Sequence, residues 1–110
     1  MKVSDAHLLG KSLVGTTIDL QGLLLGGKDL YIADSIEAFD QGVAIPLRVG
    51  ILHENLVGSG IWPVAGGPLG YSYRCRVIGR LGHDDGPHGY SLVDIVSMVV
   101  LYDGVEVDVF

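Results

Sequence analysis

Seventeen glycines cut this chain into short stretches of alternating apolar and polar residues, and that punctuation limits what it can fold into. Five stretches carry strand-type patterning: residues 13–25, 28–33, 43–50, 71–81 and 90–102. A short sixth, 105–110, follows the Asp103-Gly104 turn. Between them lie Gly26-Gly27, a turn-rich run at 63–70 and a polar loop at 82–89. Alternation bounded by Gly, Pro and Asp predicts a small antiparallel barrel or sandwich around one core. Residues without a Cβ suit the tight turns and close approaches such a fold needs.

Strand phases follow from period-2 spacing. In the first strand Ile18, Leu20 and Leu24 share one face, with Thr17, Asp19 and Gln21 on the other, and Gly22 predicts a bend or bulge. Pro46 lacks an amide donor, which places the third strand at an edge or a bulge. In the fourth, Tyr71, Tyr73, Cys75, Val77 and Leu81 oppose Arg74, Arg76, Ile78 and Arg80. The fifth is apolar on both faces except at Asp94 and Ser97, which predicts a central position. Ile18, Leu20, Ile45, Leu47, Val77 and Val99 are therefore expected in the core, and Asp19, Gln21 and Arg76 at the surface. Two short helices are expected. One starts at a Ser4 or Asp5 cap and stops at Gly10; the other falls within residues 51–60.

Five strands, a helical insert between the third and fourth, and a glycine inside the first resemble the OB-fold. The long segments Thr16-Thr17-Ile18-Asp19-Leu20-Gln21-Gly22-Leu23-Leu24 and Tyr73-Arg74-Cys75-Arg76-Val77-Ile78-Gly79-Arg80-Leu81 look like the long strands of that family. The resemblance implies a mainly-β, five- to six-stranded barrel with one or two short helices, filling residues 1–110 as a single domain. A sandwich is the structural rival. OB barrels bind oligonucleotides, oligosaccharides and proteins, so the fold alone assigns no function.

Composition narrows the functions. The chain has 110 residues, 48% of them hydrophobic and 18% charged, which suits a globular domain. No apolar run approaches the ~20 residues of a membrane-spanning helix, and no secretory leader follows Lys2; a complete cytoplasmic chain is expected. Thirteen acidic against seven basic residues give a net charge of −6. That argues against nucleic acid, whose phosphates call for Lys and Arg, and favours a basic partner. The lone Cys75 excludes an internal disulfide, and its mid-strand position suits a packed side chain more than a reactive thiol.

Motifs for chemistry are weak. His83 and His88 flank Asp84 and Asp85, a set able to ligate a metal, but Asp, Gly and Pro there are better explained by turn chemistry. His53-Glu54 is equally thin support for a site. Ser35, Ser59 and Ser91 lack a nucleophile elbow, and Gly66-Gly67-Pro68-Leu69-Gly70 precedes a strand rather than a helix. No catalytic residue, metal or cofactor is expected. Arg74, Arg76 and Arg80 form a one-sided stripe. It would either line a single-stranded nucleic-acid face or pair across the sheet with acids such as Asp19 and Asp94.

Acidic residues cluster at Asp34, Glu37 and Asp40 and again at Asp84 and Asp85. A compact, acidic chain without catalytic motifs resembles, in composition, the bacterial immunity proteins that neutralise toxins. That resemblance implies a protein–protein inhibitor whose acidic loops occlude a basic partner, with Trp62 or Tyr90 as apolar anchors. The alternative is an OB-type binder of single strands through the arginine stripe. The apolar last strand also offers an edge to another copy of the chain.

Overall fold

A computed structural model describes residues 1–26, 29–35, 47–51, 53–61, 72–83 and 89–110. In chain order these form α1 (Val3–Leu8), α2 (Gly10–Leu13), β1 (Thr17–Leu25), β2 (Leu30–Ala33), β3 (Leu47–Val49), α3 (His53–Gly58), β4 (Ser72–His83), β5 (Tyr90–Tyr102) and β6 (Val105–Asp108).

β1 pairs antiparallel with β2 on one edge and β4 on the other; β2 pairs with β3, and β4 with β5. A short parallel contact, Arg48 with Ser91 and Val49 with Leu92, joins β3 to β5 and closes a five-stranded barrel. β6 extends the sheet from β5 as an extra strand. This mainly-β barrel, with its helix between β3 and β4, is OB-like, as the order of elements had implied.

The core follows the predicted phases. Ile18, Leu20, Leu24, Leu47, Val77 and Leu81 are buried, whereas Thr17, Gln21 and Arg76 are exposed and Asp19 is partly so. Cys75 is buried among them. At roughly 1.5–3 kcal/mol per fully buried aliphatic side chain, this one-sided burial is what holds the strand phases. Val99 departs from expectation. It is half-buried, because its parity in β5 turns it to the outer face opposite Arg76.

Several boundaries also differ. Residues 13–14, expected in the first strand, belong to the end of α2 and the turn that follows. Gly10 does not stop the first helix but opens α2, lying so close to the Tyr90 ring that a Cβ would collide with it. α1 starts at Val3 with Lys2 as N-cap and no side-chain cap from Ser4 or Asp5. β3 is not an edge, since β2 and β5 flank it; Pro46 and Ile45 lie outside the described residues. β4 runs on to His83, two residues into the expected loop.

Gly22 is not a bulge either. The β1–β4 register runs unbroken through its partner Cys75, and glycine is required because a Cβ would strike the Ala33 carbonyl oxygen of β2. The irregularity sits in β5 instead. Ile78 pairs with Ser97 and Arg80 with Val93, so Asp94, Ile95 and Val96 together oppose Gly79. Asp94 takes a left-handed backbone there (φ 47°). That shift explains why β5 looks apolar on both faces: the buried series passes from Leu92 to Ile95 and back to Met98 and Val100. β5 is central, as expected, with strands on both sides. Among the described residues, no helix is long and apolar enough to cross a membrane.

Candidate functional site

The outer face of β4 carries the arginine stripe, and its neighbours decide what the stripe can do. Asp19 of β1 reaches Arg76 across the sheet. The Arg76 Nε–H donates to Oδ1 and Oδ2 of Asp19 at 2.9 and 3.0 Å, and Nη2 donates to Oδ2 as well. This forked bond holds the Asp19 carboxyl below its usual range and raises the Arg76 guanidinium above its own. Arg80 donates through Nε to Asp94 Oδ2 at 2.8 Å, the β5 bulge having turned that carboxylate toward it. Arg74 makes a longer bond, Nη1 to the Asp34 carbonyl at 3.4 Å. Two of the three arginines are thus tied to carboxylates, the cross-sheet pairing that was one of the two sequence readings.

Asp34 serves the fold. Its Oδ1 and Oδ2 accept the amides of Val3 (2.7 Å) and Ser4 (3.1 Å), capping α1 from a distant element. Tyr90 is half-buried, its ring lying over Gly10, edge-on to His7 and stacked on His83 with centroids 5.7 Å apart. It ties the helical N-terminal segment to the ends of β4 and β5. Glu37, Asp40, Trp62, Asp84, Asp85 and His88 lie outside the described residues. The thiol of Cys75 is pushed up to about 12 by burial, which makes it a poor nucleophile.

A concavity of about 860 Å³ opens on this same outer face, with Lys2, Gln21, Arg74, Arg76, Leu101 and Glu106 in its lining. Strand register sets its charge order. Arg74 and Arg76 stand on β4, Val99 and Leu101 on β5, and Glu106 and Asp108 on β6. The face therefore passes from cationic through apolar to acidic over three strands. Sequence reasoning had assigned no role to Glu106 and Asp108. Their pattern, Val-Glu-Val-Asp after an Asp-Gly turn, was the available sign.

No protein-family model matches the chain, and no curated protein matches it significantly in sequence.

Proposed function

We propose that this barrel acts by binding another protein rather than by catalysis, with a basic protein as partner. Its most concrete form is a bacterial, cytoplasmic inhibitor of the immunity type, which neutralises a toxin by covering its basic cleft. The ion pairs of Arg76 with Asp19 and Arg80 with Asp94 carry this preference. They neutralise two of the seven basic residues in a chain whose net charge is already −6, which disfavours phosphates. Glu37, Asp40, Asp84 and Asp85 supply the charge that steers a basic partner, and Trp62 supplies an apolar anchor.

Affinity capture from the native host, followed by association kinetics at two salt concentrations, tests this. A basic partner should associate more slowly in high salt, and Asp84→Asn with Asp85→Asn should slow association and flatten that dependence. Single-stranded nucleic acid is the second reading, favoured by Arg74, which lines the concavity and whose bond to the Asp34 carbonyl is long, at 3.4 Å. Tight, salt-sensitive binding of a labelled single strand that Arg74→Ala weakens would replace the protein-binding reading.

A further inference from the structure

β6 pairs with β5 on one side only, and among the described residues no strand covers its other side. Its hydrogen-bond phase can be worked out from the register. The Val109 N–H donates to the carbonyl of its partner Met98 at 2.9 Å, which makes Met98–Val109 a hydrogen-bonded pair. In an antiparallel ladder such pairs alternate with non-bonded ones. Val100–Val107 and Tyr102–Val105 are then also bonded, while Val99–Asp108 and Leu101–Glu106 are not. The backbone N–H and C=O groups of Glu106 and Asp108 consequently face away from β5, toward the open edge. Both residues are exposed, and Val105 and Phe110 beside them are 61% and 59% exposed.

Natural edges are commonly blunted by shortness, charged side chains (Lys above all), Pro, a bulge or a covering segment. Val105–Asp108 is short and both its charges are acidic, and among the described residues it has no Lys, Pro, bulge or covering segment. The two residues that offer their backbone are both acidic, and that selects the occupant. A second copy of this chain bonding antiparallel through the same groups would set Glu106 and Asp108 against Glu106 and Asp108. Like charges directly opposite destabilise a strand pair, whereas opposite charges support it.

We propose that β6 is a docking edge for an extended segment of another protein that carries Lys or Arg at every second position. The segment adds a strand beside β6: main-chain bonds to Glu106 and Asp108 hold it, and their carboxylates select its basic residues. Alternation matters, because period 2 places every second side chain on the face of the two carboxylates. The inference rests on the protein-binding reading and names the surface and the partner's chemistry.

The test compares two end-blocked octapeptides of identical composition with the full chain at low salt. In one, Lys and Thr alternate; in the other, Lys and Thr come in adjacent pairs (Lys-Lys-Thr-Thr twice), so that no two Lys stand two positions apart. Affinity and backbone amide exchange are read together. The alternating peptide should bind about two- to fivefold tighter, the yield of the second favourable cross-strand charge pair. The amides of Glu106 and Asp108 should become protected only in its presence. Glu106→Lys with Asp108→Lys should abolish this binding and create binding of the matching Glu–Thr peptide, a gain that a merely unfolded variant could not show. Equal binding of the two isomers, no binding of either, or protection of these amides by self-association overturns the proposal. A captured basic partner that leaves both amides unprotected overturns it alone and leaves the protein-binding reading standing.

Discussion

Asp34 shows how a single side chain can join parts of the molecule that are distant in sequence. Its two oxygens take the amides of Val3 and Ser4, 31 and 30 residues away, replacing the local cap that Lys2 cannot provide. Asp34→Ala should cost about 1 kcal/mol, the usual effect of losing a helix cap. A urea titration would show it as a lower midpoint with an unchanged slope. Asp19 belongs to a different class, because its carboxyl is held low by the Arg76 hydrogen bonds. The folded-state value lies below the ordinary 3.8, so this contribution is full above that pH and is lost as pH falls through the lowered value. The stability gap between the native chain and Asp19→Asn should therefore be largest near neutrality and vanish in strong acid; a gap independent of pH would contradict it. Cys75, with its thiol raised to about 12, should resist alkylation in the folded chain and react at once in denaturant. The two roles were unequally visible beforehand. Strand parity and a short roster of acids suffice to suggest the Asp19 pair, while the Asp34 cap exists only once β2 has been placed beside α1.

Among the elements, β1 holds the tightest backbone approach. The Ala33 carbonyl occupies the space a Cβ would need at Gly22, and a carbonyl fixed at the end of a paired strand cannot swing aside. Gly22→Ala should destabilise by roughly 1–3 kcal/mol, the usual range for overpacking. Gly79→Ala should be milder in thermal denaturation, since the nearest obstacle is the terminal Cδ1 of Ile95, at 2.9 Å. Both glycines are conspicuous in the sequence, but strand patterning singles out only the first, and of the bend or bulge it suggests there the bulge is absent. Alternation reveals where a strand lies and which face it buries. It cannot reveal a bulge in β5 that is defined by its register against a neighbouring strand, opposite Gly79. The same limit explains the misread start of β1: Leu13 and Val14 are apolar enough for a strand, yet α2 takes the first and the following turn the second. The edge character of β6 was partly legible, since an apolar strand after an Asp-Gly turn suggests a hairpin. Which backbone groups that edge presents depends on register, and register is not written in composition.

For the molecule as a whole, the barrel is not sealed evenly. β1 and β4 are paired from Thr17–Arg80 to Leu25–Ser72, whereas among the described residues β3 meets β5 through two residue pairs and the Gly50 N–H bond to the Leu92 carbonyl. A shallow depression of about 160 Å³ follows that seam. Amide exchange should be faster at Gly50 than at Leu20 or Val77, because local opening starts where the fewest contacts must break. Equal protection at the three amides would show that the barrel opens only as a unit. The unequal sealing also bears on how the chain comes into being. β1 finds its longest partner only after residues 72–83 exist, and a ribosome adding about 5–20 residues per second needs roughly 3–12 s to get there from Leu25. Through that interval Leu20 and Leu24 have no β4 to cover them. The nascent half-barrel is then a target for chaperones that hold apolar strands, and a rare-codon pause placed after β3 would lengthen its exposure, whereas one placed after β4 would not.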